Sequence, residues 1–146
     1  EALALLQNEK RIQQWQDHVS EFKVYLTDDT ASWTEYSYHD IPWPVSDQDH
    51  FLEYRVQEGS TPEKLFIVFE SKVNDQLAPV REDVTRMTLY GSWLFEKTGD
   101  RQIHVSYRIL SKPSGIPRIF TDPVIRNNIM TTIRSYIDIL EKKKEK

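Results

Sequence analysis

Cysteine is missing altogether from the 146 residues, which excludes disulfide bridges, thiolate metal sites and cysteine nucleophiles and leaves the compartment open. Glycine is scarce, with four in the chain, and none falls in a Gly-x-Gly-x-x-Gly or phosphate-loop spacing, so no nucleotide cradle is expected. No apolar run reaches the roughly 18 residues that a membrane-crossing helix needs. Positive charge is not in excess either: 19 Lys and Arg stand against 23 Asp and Glu, a formal charge of −4. That removes the general electrostatic reason to expect nucleic acid or an anionic membrane as partner, and any membrane contact would be transient. The four histidines show no His-x-His or His-Glu-x-x-His spacing, and no serine sits in a Gly-x-Ser-x-Gly elbow. No metal, cofactor or catalytic group is therefore expected. His39, Asp40, Asp47, Asp49 and His50 do gather around Pro42-Trp43-Pro44. Beside a proline-rich loop, Asp47 and Asp49 read as carboxylates that order the loop through bonds to its backbone.

What the chain has is aromatic residues, 12% of the total, and a clear change of hydrophobic period. From Ala2 to about Val19, Leu3, Leu6, Ile12, Trp15 and Val19 suggest one bent helix or two short ones. From Glu21 the period becomes two. Strands are expected over 21–26, Trp33–Ile41, His50–Gln57, Leu65–Val73, Val84–Lys97 with a bend at Gly91, and Gln102–Leu110. The fourth is apolar on both faces around Phe66-Ile67-Val68-Phe69 and reads as central. The polar stretch from Asn74 to Asp83 reads as a loop. Asp122 followed by Pro123 signals a helix start. Ile125, Ile129, Thr132, Ile133, Tyr136, Ile137 and Leu140 then form one apolar stripe, and the charged run from Glu141 to Lys146 is a solvated end.

A helical segment, about six antiparallel strands and one long C-terminal helix make a single α+β domain. The helix must bury its stripe on the sheet, and a sheet that curls around one helix leaves a cavity between them. Tyr36, Tyr38, Tyr54 and Tyr107 all fall in strands, and some of them are expected to offer hydroxyls to that cavity. Met87, Leu89, Trp93, Ile129 and Ile133 are expected along its walls and Tyr136 on its helix side, although plain core packing is open to each. An apolar cavity with a few hydroxyls suits a ligand with a long apolar body and one polar end.

Two segments carry a family resemblance. Ile41-Pro42-Trp43-Pro44-Val45-Ser46-Asp47-Gln48-Asp49 is similar to the Trp-Pro-Val-Ser-Asp-Arg-Asp segment of StAR-related lipid-transfer (START) domains. Tyr90-Gly91-Ser92-Trp93, Val105-Ser106-Tyr107-Arg108 and Ser114-Gly115-Ile116-Pro117 resemble that family's pattern ahead of its last helix, and the stretch from Leu5-Leu6 to Trp15 resembles its short helices ending in Trp. Gln48 departs from the family's Arg, and Lys112-Pro113 from its frequent Asp-Pro. The resemblance implies the helix-grip (SRPBCC) fold in a bacterial member, a lipid or other hydrophobic ligand, and a non-enzyme. It leaves open an enzyme of the same fold on a lipid or polyketide-like substrate, or an interaction module with a filled cavity. The family places a strand and a helical element before the point matched by Glu1. With no initiator Met, the chain thus reads as trimmed, with one strand edge expected to be unpaired.

Overall fold

A computed structural model describes residues 1–112 and 118–142; of the side chains from 118 to 125, only that of Pro123 is described. The N-terminal segment forms two short helices, α1 (Ala2–Leu6) and a 3-10 turn (Ile12–Gln14). Leu5, Leu6, Ile12 and Trp15 are buried, and the chain turns between the two where the Asn8 side chain accepts the Lys10 N–H at 3.1 Å. Helix stops there: Val19 already belongs to the first strand.

The strands are β1 (Val19–Leu26), β2 (Ser32–His39), β3 (Gln48–Val56), β4 (Lys64–Ser71), β5 (Thr85–Arg86), β6 (Leu89–Gly99) and β7 (Gln102–Ser111). They form one curved sheet in the order β1-β2-β3-β4-β6-β7, with each neighbouring pair antiparallel. The expected fifth strand is in fact two. The short β5 runs parallel to the start of β3, pairing Thr85 with Gln48 and Arg86 with Asp49. It fills the place beside β3 that β4 does not reach, because β4 pairs only from Leu52 onward. Ser71 then hands the chain over: its Oγ accepts the Leu89 N–H at 2.8 Å and donates to the Met87 carbonyl at 3.3 Å. The break therefore lies at 87–88, and the strand runs straight through Gly91.

The last helix, α2, spans Arg118–Lys142, with Pro123 inside it. The helix thus begins four residues before the Asp122-Pro123 signal. Pro123 has no N–H for the Ile119 carbonyl, so a single early bond is lost and the helix continues. The Asp122 side chain, that of Ile125, the 113–117 segment with its Ser-Gly-Ile-Pro motif and the end of the charged run from Lys143 lie outside the described residues. Along the stripe, Tyr136 and Leu140 are buried, while Ile129, Thr132, Ile133 and Ile137 are half-buried.

Alternation along the strands divides the sheet into two faces. The inner face carries Trp33, Leu52, Tyr54, Ile67, Phe69, Leu89, Trp93 and Phe95, and meets Leu5, Leu6, Ile12, Trp15, Tyr136 and Leu140 in one core. The outer face holds a smaller cluster of Tyr36, Phe51 and Ala78, flanked by Tyr25 and Tyr38. Among the described residues, no helix is long and apolar enough to cross a membrane.

Candidate functional site

The inner face is almost wholly apolar except at the β2–β3 hairpin. Register pairs Trp33 with Tyr54, Glu35 with Leu52, Ser37 with His50 and His39 with Gln48, so Trp33, Glu35, Ser37 and His39 lie on the same face as His50 and Tyr54. Glu35, Ser37 and His50 are all buried. Glu35 Oε1 lies 3.1 Å from His50 Nε2 and accepts the Tyr54 hydroxyl at 3.2 Å. Ser37 Oγ is 3.1 Å from His39 Nε2, and the two imidazoles stand 5.2 Å apart between centroids. These five residues form a polar pole in an otherwise greasy surface.

The electrostatics follow from that enclosure. Burial, then repulsion from His50 and His18, pushes His39 down to about 3, so it is neutral throughout the physiological range. Burial, then the charge of Glu35, raises the Tyr54 phenol well above its ordinary value, and the same two causes raise Tyr107. Both tyrosines therefore act as hydroxyls, never as phenolates.

A relay of rings leads from this pole to the helix. Trp33 stacks on Tyr54 at 4.9 Å, Tyr54 meets Phe69 at 5.2 Å, and Phe69 meets Tyr107 at 6.0 Å. Tyr107 meets Trp93 at 4.3 Å, and Trp93 meets Tyr136 of α2 at 5.1 Å. Tyr136 also touches Trp15 at 5.0 Å and donates its hydroxyl to the Ala2 carbonyl at 2.6 Å. The C-terminal half of α2 is thus fixed to the sheet and the N-terminal segment by packed rings. Gly91 belongs to the same surface: a Cβ there would run into the Arg108 carbonyl and the Phe69 ring.

Of the residues expected to meet a ligand, Tyr54, Leu89, Trp93 and Tyr136 are in the inner core, with Met87 and Tyr107 packed against it. Ile129 and Ile133 sit on α2, half-buried. Tyr36 and Tyr38 go elsewhere. The two-residue period that turns Trp33 and Glu35 inward turns Tyr36 and Tyr38 onto the outer face. There Tyr36 donates to Asp49 at 2.9 Å and Tyr38 to Asp47 at 2.6 Å.

That outer network is structural. Asp47 also accepts the Ile41 N–H at 3.0 Å, so it orders the proline loop as its sequence position suggests. Asp49 does not: it is a strand residue, 1% exposed, held by two bonds from Arg86 at 2.6 and 3.0 Å. Arg86 also donates to the Ala78 and Pro79 carbonyls. Arg81 lies over the rings of Tyr36 and Tyr38 and pairs through both terminal nitrogens with Glu21. Together these arginines hold the 72–84 connection against the sheet.

Glu35 and Ser37 were not singled out from the sequence, and His50 was placed beside the proline loop at the start of a strand, with no part in a site. The available signal was polar residues at every second position of a strand that starts with Trp33. Among the described residues, no group of three or more metal-ligating side chains is assembled. Two surface depressions border the N-terminal segment: one of about 80 Å³ between Ala4, Leu5, Asn8 and Ile139, and one of about 320 Å³ along Glu9, Gln13, Val19 and Phe22. Neither lies between Tyr107 and Ile129.

No family model matches the chain. An uncharacterized protein of Pseudomonas aeruginosa is 23% identical over 145 residues, covering 96% of this chain and 68% of that protein. The structure is similar to that of human STARD10, with a TM-score of 0.78 at 15% identity, over 99% of this chain and 60% of that one. A STAR-related lipid transfer protein fragment from Xanthomonas axonopodis gives a TM-score of 0.74 at 19% identity, over 92% of this chain and 74% of that one. The human StarD13 lipid transfer and protein localization domain gives 0.66 at 17% identity, over 93% and 67%.

Proposed function

With a START-like helix-grip fold as its premise, we propose that this chain binds a hydrophobic small molecule between the inner face of its sheet and α2. The observation that carries this reading is the composition of the inner face: an aromatic and apolar surface with one buried polar pole at Glu35, His50 and Tyr54. A surface of that kind suits a ligand with a long apolar body and one polar end. The chain's likeness to the Xanthomonas STAR-related lipid transfer protein and to the StarD13 lipid transfer and protein localization domain points the same way. Tyr54, Met87, Leu89, Trp93 and Tyr107 would contact the ligand from the sheet, and Ile129 and Ile133 from the helix. Tyr136 serves mainly to anchor the helix. Burying about 300 Å² of apolar ligand surface supplies roughly 7 kcal/mol, and the costs of association reduce that to micromolar affinity unless the polar end is also held. Release requires the helix or its adjoining loops to move.

One observation favours a second reading, catalysis: Ser37 and His39 are within hydrogen-bond distance, as a nucleophile and its base would be. Against it, a histidine held down to about 3 is a weak base, and Ser37 is fully enclosed.

A thermal-shift screen of fatty acids, sterols and isoprenoids, run on the wild type and on Ile129→Trp, tests the binding reading. A ligand that binds only the folded state stabilises it by about 2.7 kcal/mol at one hundred times its Kd, and Ile129→Trp should remove the shift. No shift with any of them, and side chains filling the space under α2, would favour an interaction module. Turnover of a lipid ester lost in Ser37→Ala would favour the second reading.

A further inference from the structure

The sheet is open, and its two edge strands, β1 and β7, are not alike. Side chains of the N-terminal segment bond the backbone of β1: Gln13 Nε2 donates to the Val19 carbonyl at 3.0 Å, and the Glu9 carboxylate accepts the Val24 N–H at 2.7 Å. Among the described residues, β7 has no such cover. The Lys112 N–H donates to the Thr88 carbonyl, just before β6, at 3.1 Å, and ladder bonds alternate along an antiparallel pair. The backbone groups of Leu110, Arg108, Ser106 and His104 therefore turn toward β6, and those of Ser111, Ile109, Tyr107, Val105 and Ile103 turn outward. Natural edges are blunted by proline, charge, a bulge or covering chain. Gln102–Ser111 has no proline and one full charge, Arg108, and its pairing with β6 is irregular only beside the turn, between Lys97 and Gly99. Val105, Tyr107 and Ile109 pack against the core yet stay half-buried, and Leu110 is 70% exposed. A bare ladder with an apolar flank is a template for one more strand.

We propose that β7 pairs with β7 of a second copy of this chain, antiparallel about a two-fold axis at Tyr107. This inference is independent of the ligand reading above. The strand's own sequence fits that occupant, because a two-fold contact must be complementary to itself. With Tyr107 opposite Tyr107, Val105 faces Ile109 and Ile103 faces Ser111 on the inner side, so the apolar flank of each copy covers that of the other. All the outward backbone groups from Ile103 to Ser111 then find partners. On the outer side Ser106 faces Arg108 and His104 faces Leu110, and no like charges meet. Neighbouring registers lose this: an axis at Arg108 sets that charge against itself, and an axis at Ser106 sets it against His104. Like charges directly opposite each other destabilise a strand pair. Charge complementarity thus selects one register, centred on Tyr107.

Sedimentation velocity of the 146-residue protein from about 1 to about 200 μM, with amide exchange at both ends of that range, tests the proposal. The expected result is a concentration-dependent dimer, with the Val105, Tyr107 and Ile109 amides protected only where it forms. Two substitutions on the outer face check the register. Ser106→Glu sets a carboxylate opposite Arg108 of the second copy, at both ends of the two-fold, and should tighten the dimer about fivefold; Ser106→Arg sets like charges there and should weaken it by about the same factor. Val105→Pro removes one outward N–H, which an edge strand tolerates, and should leave a monomer. A chain that stays monomeric throughout the range, whether or not those amides are protected, overturns the proposal. So does a dimer that protects other amides, or one that responds alike to both Ser106 variants. If Val105→Pro does not fold, the Ser106 variants and the exchange pattern decide the matter.

Discussion

His39 gives the sharpest test of the inner-face electrostatics. Its folded value of about 3 lies well below the ordinary 6.5. Below pH 6.5 the unfolded chain therefore binds a proton at this residue that the folded chain refuses. Stability is constant above that point and falls as pH drops toward 3. The two values give a loss of about 2 kcal/mol at pH 5, rising to about 3 kcal/mol at pH 4. The window from pH 6.5 to 5 lies above the ordinary carboxylate range, so acid effects at Glu21 and Asp47, both held low by their hydrogen bonds, fall outside it. His39→Gln keeps a polar group beside Ser37 and cannot titrate. Urea unfolding at pH 7 and pH 5 should show the wild type losing about 2 kcal/mol between the two and the variant almost nothing. Equal losses in both proteins, or none in the wild type, would refute the placement of a desolvated His39 beside His50.

Removing Arg86 leaves the buried Asp49 carboxylate with only Tyr36 as a side-chain donor among the described residues; Arg86→Ala should cost about 3 kcal/mol in urea unfolding, the scale of a broken buried pair, and a cost under about 1 kcal/mol would contradict the account of the outer face. Gly91→Ala should destabilise by about 3 kcal/mol, the upper end of overpacking, because its new methyl meets backbone at Arg108 as well as the Phe69 ring; a neutral effect on the melting temperature would mean that the β6–β7 pair yields more easily than its register suggests. Tyr136→Phe keeps the ring contacts and loses one hydrogen bond to Ala2, so a loss of about 1 kcal/mol is expected, with faster amide exchange in the last turns of α2 and in α1; unchanged exchange would argue against that tie.

Six of the seven strands were legible in the sequence because alternation is a local property: Val105 and Tyr107 or Trp33 and Glu35 state their own period. The pairing of β5 was not, since it depends on Arg86 reaching Asp49, 37 residues away. The helix start was misplaced because Pro123 is a strong local signal for a first helical position, whereas α2 begins at Arg118 and carries Pro123 inside it. The polar pole was hidden for a different reason. Period two tells which residues share a face but not which face is inner, and in β2 both faces are largely enclosed: Trp33, Glu35 and Ser37 are buried on one, Tyr36 on the other. Four tyrosines thus looked alike in sequence, and only the register of β2 against β3 separates Tyr54 from Tyr36 and Tyr38.

The central claim, that a hydrophobic small molecule occupies the space between the inner face and α2, is tested most directly by native mass spectrometry of the purified protein after incubation with a lipid extract, followed by organic extraction. The account predicts a discrete adduct of one small molecule per chain, lost on extraction and absent in Ile129→Trp. A spectrum showing only the bare chain, or an adduct that Ile129→Trp retains in full, would contradict it.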